Sequence, residues 1–422
     1  MEITQLIDKL HQQIPVFSEL MKALRASEVT AWLVGGCVRD LLLGRQCSDI
    51  DVVSVEDPSD WARSWAKGRG HWFWLDQQRR QSRILLPQGI SFDFAPLRAS
   101  VIEADLSARD FTINAMAVPT GEPGKLLDPL NGITDLHNCC LKVCSDDTFS
   151  DDPLRILKGA RHAAVLNFTF EKNSLNAMAD HASLITVVAA ERVRDELFLM
   201  LNVRDSYNAL QPLFQTGVLS ALFGSPAQEW VPQRHRKYHQ YIYDRSEDLC
   251  QRHQTPVTAA LLKHQKLFLL AVLLWAYAPA RYQSNYRKLR LSREQQRVLR
   301  ALRCEIAEEW FAKTDQLTTE RLLALAVEQL NPCGLQRLLY WGWCAGRISE
   351  EQIIALLEAY WSLEKEGRIP HLLDGHVMAQ FVDKHKIATY QHQIKLEELE
   401  GKIDGPKGAL NWMKTHLPID KI

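Results

Sequence analysis

Hydrophobic positions in the first 145 residues come in short, β-rich runs, whereas after about Asp151 they recur at helical intervals. Residues 30–34 (TAWLV) stop at Gly35-Gly36 and lead into a helical stretch at 38–43, which predicts strand, glycine turn and helix in that order. A second strand, 50–55, begins inside Asp49-Ile50-Asp51, and a helix carrying Trp61 and Trp65 follows. Residues 83–86 and 90–97, separated by Pro87-Gln88-Gly89, read as a hairpin, and 112–118 reads as a further strand. Long Leu- and Ala-rich segments at 189–201, 258–277, 293–311 and 349–363 predict one helix after another. The predicted fold class is α+β, with a mixed sheet and its helices first and an all-α remainder.

A chain of 422 residues is too long for one ordinary core and predicts two or three domains, with soft boundaries near 145, 205 and 310. With 46% hydrophobic and 24% charged residues it has a globular composition, which excludes disordered and collagenous classes. Lys plus Arg number 50 and Asp plus Glu 51, so any nucleic-acid contact must come from local segregation of charge. Nine cysteines without a Cys-x-x-Cys pair fit a reducing cytoplasm, and Cys139, Cys140 and Cys144 are read as packing residues. His235 and His239 have no partner acid and are not read as a metal site. The opening MEITQLIDKLHQQ carries acids and amides where a signal peptide needs a basic start, and it reads as a helix. The apolar stretch 267–278 is too short to cross a bilayer and reads as a core helix, so no membrane partner is expected.

Candidate chemistry is densest in LVGGCVRDLLLGRQCSDIDVV, residues 33–53. Gly35 and Gly36, after a strand and before a helix, let backbone N–H groups approach a phosphate, helped by the positive helix end. Asp49 and Asp51 stand two apart on a strand, so both carboxylates leave the same face and can share a divalent cation. Taken singly, each piece is commonplace. The order Gly35-Gly36, Arg39-Asp40, Gly44, Asp49-x-Asp51 within one strand-turn-helix-strand unit resembles the head motif of class II tRNA nucleotidyltransferases (CCA-adding enzymes) and bacterial poly(A) polymerases.

Further motifs follow in that family's order. Asp93, in Ser91-Phe92-Asp93-Phe94, is the expected third carboxylate. DLSARDFTIN, residues 105–114, resembles the motif that meets the ribose, so Arg109, Asp110 and Asn114 are candidate nucleotide contacts, with Ala108 replacing the family's first arginine. Asp128-Pro129, Gly132 and Asp135-Leu136 resemble a third motif with a structural role between head and neck. Asp151-Asp152-Pro153-Leu154-Arg155 matches Glu-Asp-x-x-Arg with Asp151 in place of Glu. On a helix, Asp152 and Arg155 would share a face and read the base, accepting from the exocyclic amine of C or A and donating to its ring nitrogen. The plain alternative is a surface ion pair. Arg161, two turns on, is placed to reach the nucleotide or its phosphates, and Glu191-Arg192 and Glu196 resemble a supporting fifth motif.

The resemblance implies a template-independent enzyme that adds C from CTP, and with ATP a terminal A, to tRNA 3′ ends with loss of pyrophosphate. Asp49, Asp51 and Asp93 would hold two Mg2+ ions, and Arg39 would meet the leaving group. It also implies a catalytic head (1–145), a base-selecting neck (146–205), and a body (206–310) and tail (311–422) that contact tRNA. Between Arg281 and Glu305 eight basic residues face two acids, and Arg290, Arg293, Arg297 and Arg300 would line one helical face toward RNA, a solvated face being the alternative. Only residues 99–104 separate Arg98 from Asp105, where CCA-adding relatives carry a longer loop. That shortening favours CC addition, with a separate enzyme supplying the A. No phosphohydrolase is expected, because the run 269–274 ends in Trp275-Ala276. The competing readings are a poly(A) polymerase and, from another class, a non-catalytic RNA-binding protein.

Overall fold

A computed structural model describes residues 14–225, apart from 28, 88, 122–125 and 204, and then 266–274, 288–303 and 373–416 with short gaps. The helices expected in the opening residues and at 349–363, most of the one expected at 258–277 and the end of the one expected at 293–311, with His235 and His239, lie outside the described residues. The chain divides into two compact units, Met1–Leu222 and Phe223–Ile422.

In the first unit, α1 (Pro15–Ala26) leads to β1 (Ala31–Val34), α2 (Gly36–Leu42), β2 (Asp49–Ser54), α3 (Ser59–Ala66), β3 (His71–Asp76), β4 (Gln81–Leu85) and β5 (Ser91–Pro96). Then come α4 (Ile102–Ser107), a 3-10 turn at Thr112–Asn114, and β6 (Ala117–Pro119). Six strands form one sheet in the order β3-β4-β5-β2-β1-β6. Only β2 and β5 are parallel; the other pairs are antiparallel. Period-two alternation sends Ile50, Val52, Phe92 and Phe94 into a core shared with Phe17, Leu20 and Trp65. Each such fully buried side chain contributes roughly 1.5–3 kcal/mol. On the opposite face Val34 and Val53 pack with Ile102 and Leu106 of α4.

The predicted hairpin forms, with Gly89 at φ 78 in its turn. The predicted strand at 112–118 is cut short. Asn114 N–H bonds to the Phe111 carbonyl at 2.8 Å and Ala115 N–H to that of Thr112 at 3.0 Å, which closes a turn where the ladder would have run. Strand β3 went unread, because at the sheet's edge its positions alternate only between exposed and half-exposed, a weak contrast.

Next follow α5 (Gly132–His137), β7 (Cys140–Leu141), α6 (Thr148–Asp151), α7 (Leu154–Leu166), β8 (Thr169–Phe170), α8 (Lys172–Asp180), α9 (Ala190–Leu201) and α10 (Ser206–Gln215). Helix α7 packs against α9 and α10. The expectation of an all-α neck is corrected by β8, which pairs parallel with β7 and ties the segment after α7 back to residues 140–141.

In the second unit, α11 (Arg293–Arg303), α12 (Gly375–Met378), α13 (Ile387–Leu399) and α14 (Gly405–His416) are described. Leu267, Leu269, Leu270, Leu273 and Leu274 are buried, as a core helix requires. Arg293, Arg297 and Arg300 are exposed on α11. Arg290 departs from the predicted stripe: it precedes the helix at φ 46. The helix starts later because Ser292 and Gln295 form a reciprocal cap, Gln295 N–H donating to Ser292 Oγ (3.1 Å) and Ser292 N–H to Gln295 Oε1 (2.8 Å). Among the described residues no helix is long and apolar enough to cross a membrane.

Candidate active site

Strands β2 and β5 place Asp49 opposite Ser91 and Asp51 opposite Asp93. Across β2 on its other side, Asp51 meets Val34, the last residue of β1 before the glycine turn. Asp49 and Asp51 therefore share a face with Val53 and oppose the core. Ser91 Oγ donates to Asp49 Oδ1. Burial, with the adjacent Asp93 and then Asp49 carboxylates, pushes Asp51 up to about 6, against the pull of Arg109 and Arg83.

The third expected carboxylate is differently placed in its chemistry. Both oxygens of Asp93 accept from Arg83, Oδ1 from Nε at 2.6 Å and Oδ2 from Nη2 at 2.8 Å. Antiparallel β4 sets Arg83 directly across from Asp93, and the forked guanidinium closes on it. Asp93 thus stands beside the Asp49–Asp51 pair as a charge neighbour held in an ion pair.

Gly35 adopts φ 78 and ψ −147, a conformation open only to glycine. A Cβ there would lie 2.9 Å from Asp51 Oδ2 and 3.4 Å from Arg109 Nη1. The turn therefore brings bare backbone onto the carboxylate and the guanidinium together. Arg109 is held by Asp105 at 3.0 Å, and buried Asp105 also accepts the Arg98 N–H at 2.9 Å.

Arg39, expected to meet the leaving group, is buried. Its Nε and Nη2 donate to Asp40, each at 2.9 Å, and its Nη1 to Asn114 Oδ1 at 2.7 Å. A buried guanidinium must be satisfied within the protein, and these acceptors satisfy it. Asn114 Nδ2 in turn donates to Asp110 Oδ1 (3.1 Å), which also accepts the Phe111 N–H (2.8 Å). Burial works against ionised Asp110, yet the hydrogen bonds from Asn114 and the Phe111 N–H, with the nearby Lys158 charge, hold it below the usual carboxylate range. His162, on α7, is pushed down to about 3 by burial and by Arg161.

In the neck the expected Asp152–Arg155 helix face is absent. Asp152 is extended (φ −145, ψ 97) between α6 and α7, because a residue before proline is driven out of the helical region. Its Oδ1 accepts the Leu154 N–H at 3.2 Å, and its Oδ2 pairs with Arg192 at 3.0 Å. Arg155 donates to the carbonyls of Ala108 (3.0 Å), Arg109 (3.3 Å) and Thr148 (3.4 Å). Arg161, expected near the nucleotide, joins α7 to α9 through Glu196 at 2.5 Å.

Comparison with known proteins adds the following. Residues 31–142 match the family described as the Poly A polymerase head domain, and residues 167–230 match the probable RNA and SrmB-binding site of polymerase A. A CC-adding tRNA nucleotidyltransferase of Geobacter sulfurreducens is 43% identical over 213 residues, 50% of this chain and 49% of that one. The CCA-adding enzyme of Streptococcus gordonii is 31% identical over 277 residues, 62% of this chain and 66% of that one. The chain belongs to the class II tRNA nucleotidyltransferase and poly(A) polymerase family.

The Thermotoga maritima CCA-adding enzyme complexed with tRNA shares the fold, with a TM-score of 0.72 over 98% of each chain at 21% identity. This chain spans about half the length of the first curated relative it matches. Within the family's third motif, Asp128 accepts the Gly132 and Ile133 N–H groups (2.6 and 3.0 Å) and so starts α5. Asp135 accepts from Thr112 Oγ1 at 2.6 Å, tying α5 to the 3-10 turn.

The donor set suits magnesium, a hard cation that binds through one or two carboxylates and completes its shell with water and substrate phosphates. Desolvated Asp51 beside two like charges is a group that a cation would stabilise. Asp49 and Asp51, on one face of β2, are the carboxylates placed to hold such a cation, with Asp93 engaged by Arg83 beside them. Arg83, Ser91 and His162 were not found from sequence. Their roles come from strand register and helix packing, for which a single chain carries no local mark.

Proposed function

We propose that this chain is a template-independent tRNA 3′-terminal nucleotidyltransferase, adding C, and in particular CC, from CTP with release of pyrophosphate. The observation that carries the reading is the pair Asp49 and Asp51 on one strand face, against a turn at Gly35 that no side chain could enter. When bound there, magnesium would supply Lewis-acid activation of an RNA 3′-hydroxyl and charge relief for the triphosphate.

The chain's own residues do the positioning. The Gly35-Gly36 backbone admits phosphate oxygens close to Asp51, and Arg109 stands beside it to balance their charge. Asp110, kept ionised, accepts from the ribose hydroxyls. Asp152 and Arg155 read the base, the carboxylate taking the exocyclic amine of C or A and the guanidinium its ring nitrogen. U and G present the reverse pattern and leave both groups unpaired. Reading the base through Asp152 means that the incoming amine competes with Arg192 for its carboxylate. The neck (146–205) is assigned to base selection, and the body (206–310) and tail (311–422) to the tRNA.

CC addition is supported by the short link after β5, where Arg98 N–H is fastened to Asp105, and by 43% identity to a CC-adding relative. A separate enzyme would then supply the terminal A. One assay tests the whole: tRNAs ending at the discriminator base, after one C and after two Cs are offered CTP or ATP alone, and products are read at nucleotide resolution. Stopping after two Cs is expected. Addition of A to the CC end replaces CC by CCA, ATP-only extension of generic RNA selects a poly(A) polymerase, and no incorporation at all leaves an RNA-binding protein.

A further inference from the structure

Rows of cross-strand partners extend the catalytic face to the sheet's edge. Phe73 of β3 is opposite Arg83, Arg83 opposite Asp93, and Asp93 opposite Asp51; beside this row run His71, Leu85, Ser91 and Asp49. Partners in register point to one face, so Phe73 and Leu85 look the same way as the two carboxylates. Both are open to solvent, Phe73 at 41% and Leu85 at 41%, and Leu75 at the neighbouring bulge is 46% exposed. Trp72 and Trp74, on the reverse side of β3, pack edge to face at 5.0 Å, and Trp72 is covered by the Arg63 guanidinium. The strand's tryptophans are thus used in packing, while its phenylalanine is presented outward.

A lone exposed apolar residue is ordinary, but a contiguous group on the catalytic face of an edge strand, where charged side chains usually stand guard, is not. We propose that the outer face of β3 and β4 is a stacking platform for the single-stranded 3′-terminal bases of the polynucleotide acceptor, with Phe73 receiving a base. The inference rests on the nucleotidyltransferase reading and names where its acceptor lies. Three strand spacings separate Phe73 from Asp51, about 14 Å, so a base on the ring belongs to a nucleotide shortly upstream of the reacting terminus. Exposed His71 and half-exposed Arg83 stand beside Phe73 on this face, and the row leads directly to the Asp49–Asp51 pair where a polynucleotide terminus would react, which favours a nucleic-acid strand over an apolar peptide. Sequence-tolerant stacking also suits an acceptor whose terminal bases change with each addition.

The test uses the full chain and a labelled RNA hairpin with a short 3′ overhang, read by fluorescence anisotropy. Phe73→Ala weakens binding about ten-fold, Phe73→Leu nearly as much, and Phe73→Tyr less than about two-fold, with unchanged thermal melts. A blunt hairpin does not distinguish the variants, and the KM for CTP stays constant. Equal overhang binding by Phe73→Ala overturns the platform while leaving nucleotide transfer intact. So does a change of oligomeric state in place of overhang affinity, which would make the face a contact between copies. A native chain that transfers nothing yet loses overhang affinity on Phe73→Ala supports the platform and sinks the catalytic reading.

Discussion

The head and the neck treat charge in opposite ways. On the head's open face Asp51 is desolvated beside Asp93 and Asp49 and is pushed up to about 6, an imbalance that Arg109 and Arg83 offset only in part. In the neck the motif residues are matched within the protein: Asp152 with Arg192, Arg161 with Glu196, Arg155 with three carbonyls. Unrelieved like charge marks where a cation and a phosphate chain are wanted. Internally paired charge marks a frame, or a reader whose partners must be exchanged for a base.

The largest test of this contrast is Asp51→Asn. It should cut CTP incorporation by about three orders of magnitude, read with labelled CTP. The same change should raise the melting temperature of metal-free protein at neutral pH by a few degrees. The sign follows from linkage: a carboxylate whose folded pKa lies above its ordinary value holds its proton more tightly when folded, so it loses stability for the fold as pH rises from about 4 to 6. Retained incorporation, or a lower melting point, would dissolve the distinction.

A smaller effect separates frame from reader in the neck. Arg192→Ala, which removes the competitor for the Asp152 carboxylate, should sharpen discrimination of CTP against UTP several-fold while barely moving stability, since exposed ion pairs contribute little. Arg155→Ala should lower the melting point as well, because it unties three backbone carbonyls. Misincorporation ratios identical to native after Arg192→Ala would make that pair framework only.

His162 gives a pH test of the neck's packing. Its folded pKa, about 3, lies below the ordinary histidine value, so stability is complete above about 6.5 and falls as pH drops through that window. The expected loss is at most about 1.4 kcal/mol per pH unit. Urea unfolding at several pH values should show a flatter dependence for His162→Gln than for the native chain; parallel curves would place the imidazole in solvent. The smallest effect concerns the second unit. Removing Arg293 and Arg297 should weaken tRNA binding several-fold and lower its logarithmic salt slope by roughly 1.5–2, and an unaltered slope would take α11 off the RNA.

Much of the head was legible in the residues. Alternation placed β1, β2, β4 and β5 within a residue or two, and the Gly35-Gly36 turn and Asp49-x-Asp51 stand where the pattern set them. Legibility failed where a tertiary partner overruled a local rule. Asp152 and Arg155 have helical spacing, but Pro153 breaks the helix between them and Arg192 arrives from α9, 40 residues on. Arg39 sits in the right motif yet turns inward, because Asn114, 75 residues away, offers an acceptor at the buried position.

By itself, then, the chain's order of residues decided which strand carries the carboxylates, which turn must be glycine, and which family the head belongs to. Those properties depend on side-chain period and backbone conformation, which act over a few neighbours. The register of β2 against β5 and of β4 against β5 decided that Asp93 is closed by Arg83 and that Phe73 shares the catalytic face. Helix packing decided that Asp152 answers to Arg192. These follow from which distant segments come to lie side by side, because charge and hydrogen bonding act through space between groups that chain order alone does not bring together.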